Sequence, residues 1–264
     1  MIEGLRMELE LANKIACVTG GSRGIGREIV RALAAEGCRV AFCARNRADV
    51  ETLEASLRSE GHEAMGVLAD VAVDGGAAGF LQSAGERWGG VDLLVLNAGA
   101  SFGGGLLETS MGDWKRTFDL NVFQLVDAIR AAVPLMKPRG AGSIVIVSSI
   151  SGRKPVRRRA QYAAAKAAAI QLASSLALEL APENIRVNSV SPGSILVPNG
   201  SWDRYRNEHP QEFQDFLRRE LPGGRLGSPL EVARVVVFLL SPLASWINGA
   251  DIPIDGGQGF PAAF

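Results

Sequence analysis

Cysteine is scarce: three residues in a chain of 264, with no Cys-x-x-Cys spacing, leave no material for a disulfide framework or a zinc site. Cys17, Cys38 and Cys43 each lie in an apolar run and are expected as small buried hydrophobes in a reducing compartment. No metal is expected. Net charge is missing as well. The 28 basic residues balance 28 acidic ones, so no global field draws the chain to nucleic acid or an anionic membrane, and small molecules are the expected partners. No apolar run approaches the roughly 20 residues that span a bilayer. Segment 1–14 mixes Glu3, Arg6, Glu8 and Glu10 with its apolar residues, unlike a secretory signal. A soluble, cytoplasmic protein is the expectation.

What is present suits one large α/β domain spanning residues 1–264. A β-rich run, Ile15 to Thr19, ends in Gly20-Gly21-Ser22-Arg23-Gly24-Ile25-Gly26 and leads into a helical pattern from Arg27 to Glu36. Strand, glycine turn and helix open a βαβ unit. Gly24 and Gly26 would let a pyrophosphate and the strand approach the helix N-terminus, where exposed amides and the helix dipole favour an anion. Without a ligand, the same turn is a tight loop. Further strands over Arg39–Ala44, Ala64–Ala69, Val91–Leu96, Ser143–Val147 and Ile185–Val190 alternate with helices over Ala48–Glu60, Ala77–Trp88 and Met111–Met136. That alternation predicts a parallel sheet covered on both faces, with ligands gathered at the C-terminal strand ends.

The second strand ends in Ala44-Arg45-Asn46-Arg47, where the common dinucleotide pattern places a carboxylate on the adenosine ribose. No carboxylate stands there. Arg45 and Arg47, with Arg23 of the glycine turn, suit a 2′-phosphate and point to NADP(H), the alternative being three solvated surface arginines. Asp70-Val71 and Asn97-Ala98-Gly99 stand at strand ends, as adenine-side and loop-ordering contacts or as turn caps.

Ser149 follows the fifth strand, and Tyr162 and Lys166 lie four apart on the next helix, so a phenol and an ammonium share one face. A neighbouring cation favours the phenolate and makes a tyrosine useful as an acid or base near neutral pH. The same spacing equally serves a packed ring beside a solvated charge. Asn121, inside an apolar segment, must find hydrogen-bond partners in a groove or in the backbone.

Together these motifs resemble the short-chain dehydrogenase/reductase family over nearly the whole chain. The resemblance rests on Thr19-Gly20-x-x-x-Gly24-x-Gly26, Asn97-Ala98-Gly99, Asn121, Ser149 thirteen residues before Tyr162, and Tyr162-x-x-x-Lys166. The stretches Gly224 to Ala233 and Gly249 to Gly257 are similar to the 3-oxoacyl-(acyl carrier protein) reductase branch. The resemblance implies a Rossmann-type doubly wound parallel sheet of about seven strands. It implies Tyr162 as general acid or base, Lys166 lowering its pKa and holding the nicotinamide ribose, Ser149 on the substrate oxygen, and Asn121 ordering a relay water. It also implies a cofactor groove formed by Gly20, Ser22, Arg23, Gly24, Ile25, Gly26, Arg45, Asn46, Asp70, Val71, Asn97, Ala98, Gly99, Pro192, Gly193 and Ile195, with Tyr162 and Lys166.

Two departures stand out. Leu96 replaces the first Asn of the family's Asn-Asn-Ala-Gly, and Val197 stands where a threonine often binds the nicotinamide carboxamide, leaving that role to backbone groups such as those of Ile195. Residues 194–223 hold Trp202, Tyr205, Phe213 and Phe216 and predict an amphipathic helix over Trp202–Leu221, interrupted near His209-Pro210, acting as a substrate lid or as plain core cover. The basic run Lys154 to Arg159 is a solvated loop, or else a receiver for acyl carrier protein, a coenzyme A phosphate or a carboxylate. Reduction of a 3-oxoacyl thioester is the leading expectation, with a sugar, steroid or cyclic alcohol as the alternative substrate and a non-catalytic nucleotide-binding sensor as the alternative of another class. The family resemblance implies a homotetramer built on the two long helices and the C-terminal segment.

Overall fold

The computed structural model describes residues 8–259, so the reading of segment 1–14 falls outside it at residues 1–7, and the C-terminal segment at residues 260–264. Seven parallel strands form one sheet: β1 (Ile15–Thr19), β2 (Arg39–Ala44), β3 (Ala64–Leu68), β4 (Leu93–Leu96), β5 (Gly142–Val147), β6 (Ile185–Pro192) and β7 (Asp251–Ile254). Their spatial order is β3-β2-β1-β4-β5-β6-β7. Side chains alternate between two apolar layers. Ala16, Val18, Val40, Phe42, Val145 and Val147 enter one, while Cys17, Ala41, Cys43, Ile144 and Ile146 enter the other. Burial on both faces is why these strands read as unbroken apolar runs. It also pushes all three thiols up from their ordinary pKa.

The helices are α1 (Gly24–Ala35), α2 (Arg47–Ser59), α3 (Gly76–Trp88), α4 (Met111–Phe118), α5 (Gln124–Met136), α6 (Ala160–Leu180), α7 (Ser201–Glu208), α8 (Pro210–Glu220) and α9 (Pro229–Leu240). The first layer is closed by α1, α2 and α9, and the second by α3, α5 and α6. Winding reverses between β1 and β4, which opens a crevice beyond their C-terminal ends.

Two local expectations are corrected. The first helix starts at Gly24 rather than Arg27, so part of the glycine turn is the helix's first turn. The single helix expected over Met111–Met136 is instead α4 and α5 joined by a π-helical turn, Asp119–Phe123. Asn121 explains the break: its Nδ2 donates to the Thr117 carbonyl at 2.7 Å and to the Ala100 carbonyl at 2.7 Å, competing with the backbone ladder.

By length and composition α6 could cross a bilayer, yet it packs along β6 and carries the buried Gln161 and Lys166. Helices α7 and α8 break at His209-Pro210 as expected. They share a small apolar cluster in which Phe213, Leu217, Leu221 and Leu226 pack with Trp202, Tyr205 and Phe216, and the Trp202 and Phe216 rings lie 4.4 Å apart.

Candidate active site

The crevice begins at the glycine turn. A Cβ on Gly26 would stand 2.2 Å from the Gly20 carbonyl oxygen and 2.5 Å from Asn97 Nδ2, so only glycine lets α1 approach β1 so closely. Arg23, the N-cap of α1, makes no side-chain cap, and the first amides of the helix are left for an anion. Asn97 holds this turn in place. Its Nδ2 donates to the carbonyls of Thr19 at 3.1 Å and Gly20 at 3.0 Å, while the Thr19 hydroxyl accepts from the amides of Asn97 and Ala98. Asn97 thus shapes the groove, as the loop-ordering reading expected. Leu96 is buried in the core. Val197 lies over the turn, its Cγ1 3.4 Å from where a Gly24 Cβ would be, and it offers no hydrogen bond there.

At the adenosine end, Arg45 is exposed and its Nη1 lies 3.8 Å from Asp70 Oδ2. Asp70 Oδ1 accepts from the Ala72 amide, so this carboxylate also closes its own turn. Asn46 Oδ1 accepts from the Asp49 amide and caps α2, and the Val71 side chain is buried among the apolar residues of the second layer. Val71 is therefore placed to offer a ligand its backbone, while Asn46 keeps its side-chain Nδ2 exposed beside the cap. Arg47 pairs with Glu51 at 3.3 Å, which leaves Arg23 and Arg45 as the arginines better placed for a phosphate.

The reacting end assembles from three elements. Ser149, at the end of β5, accepts from the Ser151 amide at 3.1 Å, and its hydroxyl lies near enough to the Tyr162 phenol to lower the phenol's pKa. Lys166 is 4% exposed, its Nζ donates to the Val147 carbonyl at 2.9 Å, and it sits 5.7 Å from the Tyr162 ring centroid. The nearby Ser148 hydroxyl bonds the Lys166 carbonyl, clasping α6 to β5. Gly99 marks where the groups meet: a Cβ there would be 2.8 Å from Asn121 Oδ1 and 3.1 Å from Lys166 Nζ. Asn121, 1% exposed, leaves that Oδ1 without a hydrogen-bond partner among the described residues.

The electrostatics differ from the expectation that Lys166 draws the phenol pKa down. Burial raises Tyr162 above its ordinary value, and only the Ser149 hydroxyl and the charge of Arg159 pull it back. Burial meanwhile pushes Lys166 down to about 8. In this state the phenol holds its proton at neutral pH, which suits a donor.

Two residues were not singled out from sequence, and a third, Arg159, only as the end of the basic run. Gln124 is buried three positions after Asn121, with its Oε1 unpaired among the described residues, and its place in an apolar helix was the available signal. Arg159 acts on the phenol from the N-cap position of α6, and Gln258 grips Ser194 after the double glycine. The basic run is only partly paired: Lys154 Nζ donates to the Gln258 carbonyl and lies 3.9 Å from Glu220, and Arg158 pairs with Glu108 at 2.5 Å, while Arg157 and Arg159 are exposed.

A family profile described as Enoyl-(Acyl carrier protein) reductase matches residues 20–258. Isoepoxydon dehydrogenase of Penicillium expansum is 36% identical over 91% of this chain and 92% of its own. The chain belongs to the short-chain dehydrogenase/reductase family. Two solved members of this family share its fold. L-Sorbose reductase from Gluconobacter frateurii, complexed with NADPH and L-sorbose, superposes with a TM-score of 0.92 at 31% identity, over 97% of this chain and all of that one. A 7α-hydroxysteroid dehydrogenase, complexed with NADH and 7-oxo glycochenodeoxycholic acid, gives 0.88 at 30% identity, over 95% and 96%. The chain is thus an oxidoreductase that uses a nicotinamide cofactor. Its residues fit that group. The glycine turn is a cradle that a Cβ would fill, and the buried Lys166 and Asn121 each present unused hydrogen-bonding capacity beside Gly99.

Proposed function

We propose that this enzyme interconverts a ketone and a secondary alcohol with NADP(H). The observation that carries this reading is the meeting, around Gly99, of Asn121 Oδ1 and Lys166 Nζ beside the neighbouring Ser149 and Tyr162 hydroxyls. When bound, the nicotinamide supplies or accepts the hydride. Tyr162 delivers its proton to the carbonyl oxygen as negative charge develops, and Ser149 steadies that oxygen by hydrogen bonding. Lys166 holds the ribose and keeps positive charge beside the phenol. Asn121, through its unpaired Oδ1, holds a water through which Lys166 is re-protonated.

The NADP(H) preference rests on Arg23 and Arg45 and on the missing carboxylate at the end of β2. Arg45→Asp is expected to lower the NADPH-to-NADH ratio of kcat/KM by about tenfold or more, by exchanging a phosphate-binding cation for a repelling carboxylate. An unchanged ratio would count against the 2′-phosphate site.

For the substrate, the pairing of Lys154 and Arg158 with acidic and carbonyl groups of this chain favours a compact ring or sugar ketone over a carrier-bound 3-oxoacyl thioester. The sorbose and steroid ligands of the two solved relatives support the same ranking. Initial rates with cyclic ketones, ketoses and 3-oxoacyl thioesters, each with NADPH and NADH, test it. A thioester preferred by kcat/KM would restore the carrier reading, and absence of turnover with every ketone would favour a sensor. The helical segment of residues 194–223 acts in this reading as the substrate lid.

A homotetramer in the cytoplasm completes the proposal. Phe123 and Leu178 are exposed, 59% and 81% respectively, on the two helical segments expected at the interface. The three buried thiols suit a reducing compartment. Light scattering is expected to return four times the mass of one chain, and a stable monomer would refute the assembly.

A further inference from the structure

The backbone after β6 is tied on both sides in a way that selects one residue. The Ser194 amide donates to Gln258 Oε1 at 2.8 Å, and Gln258 Nε2 donates to the Ser194 hydroxyl at 3.0 Å. The Ser194 carbonyl accepts from the Gly227 amide at 3.0 Å, and the Leu196 amide donates to the Gly227 carbonyl at 2.8 Å. Between them, the N–H and C=O of Ile195 have no partner among the described residues. One free donor and one free acceptor on a single residue match a carboxamide, whose carbonyl accepts and whose NH2 donates.

Gln258 itself is 7% exposed and held at several points. Its amide donates to the Asp255 carbonyl at 3.1 Å, and its carbonyl accepts from Lys154 Nζ at 2.6 Å. Asp255 closes the turn by accepting from the amides of Gly257 and Gly259. Gly193 lies against the same group, since a Cβ there would be 2.8 Å from Gln258 Oε1. The side-chain amide is therefore a buried, doubly paired clamp, and losing it would leave the Ser194 amide unsatisfied and the segment free to shift.

We propose that Gln258 is a positioning residue for the nicotinamide end of the cofactor: it fixes Ser194 so that the Ile195 N–H and C=O receive the carboxamide, in place of the hydroxyl that Val197 lacks. Lys154, from the loop after Ser149, anchors the clamp from behind. This rests on the oxidoreductase reading above.

Gln258→Met keeps the side chain's length and removes both hydrogen bonds. The expected result is a Kd for NADPH, measured by fluorescence titration, raised about tenfold, as the loss of one buried hydrogen bond implies. Calorimetry should show the Kd of adenosine 2′,5′-bisphosphate, which lacks the nicotinamide, unchanged. Gln258→Glu retains an acceptor for the Ser194 amide and is expected to bind NADPH as the parent does. Unchanged NADPH affinity in Gln258→Met would overturn the proposal, as would parallel weakening of the adenosine fragment. Should that variant fail to fold, Lys154→Met releases the clamp from its anchor without entering the core. A weaker NADPH affinity with the fragment unaffected then supports the role, and parental affinity overturns it. A parent protein that binds the fragment but no dinucleotide would sink the oxidoreductase reading first.

Discussion

Tyr162→Phe is expected to lower turnover by on the order of 10³-fold while NADPH binds with parental affinity. The substitution keeps the ring and its packing on α6 and removes only the hydroxyl beside Ser149. Without it, the charge that a hydride leaves on a carbonyl oxygen has no positioned proton, and water must supply one from a partly enclosed site. Because burial raises the phenol pKa and lowers that of Lys166 to about 8, the parent should hold its reducing activity at neutral pH and lose it in alkali, first as Lys166 gives up its charge and then as the phenol ionises. Steady-state ketone reduction and NADPH titration on the same preparation check both halves. Residual turnover above about a tenth of the parent's would remove Tyr162 from the proton-transfer role.

Lys166→Met separates what the lysine does for the reaction from what it costs the fold. Turnover is expected to fall by on the order of 10²-fold or more, since the variant loses both the positive charge beside the phenol and a donor for the ribose. Stability should respond oppositely with pH. Burial depresses the folded-state pKa of Lys166 to about 8, below its ordinary 10.5. Between those values the unfolded chain binds a proton that the folded chain does not, so stability rises with pH there; below about 8 the penalty is present in full. Relative to Lys166→Met, the parent is expected to gain about 2 kcal/mol between about pH 7 and about pH 9.5. The comparison stops short of the range where the raised Tyr162 pKa acts in the opposite direction, favouring unfolding as pH climbs past its ordinary 10. Urea unfolding of both proteins measures the difference. Methionine leaves the Val147 carbonyl unpaired, which shifts the offset between the two curves but not their divergence. Parallel curves would mean that Lys166 keeps its ordinary pKa and stays charged in the ligand-free enzyme, whereas a divergence larger than about 2 kcal/mol would mean that it is already neutral at pH 7.

Much of this site could be read from one dimension because its parts are local. A glycine turn, a Tyr and Lys one helical turn apart, and a serine closing a strand follow from periodicity and spacing, and β1 and β2 begin and end where the pattern places them. The π-helical turn did not show, because it depends on Asn121 reaching back to Thr117 and across to Ala100, twenty-one residues away in sequence. The charge of the basic run was legible, whereas the pairing of Lys154 and Arg158 was not: Glu220 and Glu108 reach them only through the fold.

By itself, then, the sequence determined the doubly wound sheet, the phosphate turn and the identities of the groups at the reacting end, since each is set by short-range periodicity and by residue chemistry. Tertiary structure alone decided how those groups are tuned and held. Burial sets the Tyr162 and Lys166 pKa values in directions that spacing could not reveal, and Gln258 reaches Ser194 across sixty-four residues of chain. The physical reason is the same in both cases. Desolvation and long-range hydrogen bonds belong to the surroundings that the folded chain builds around a residue, and no local pattern encodes them.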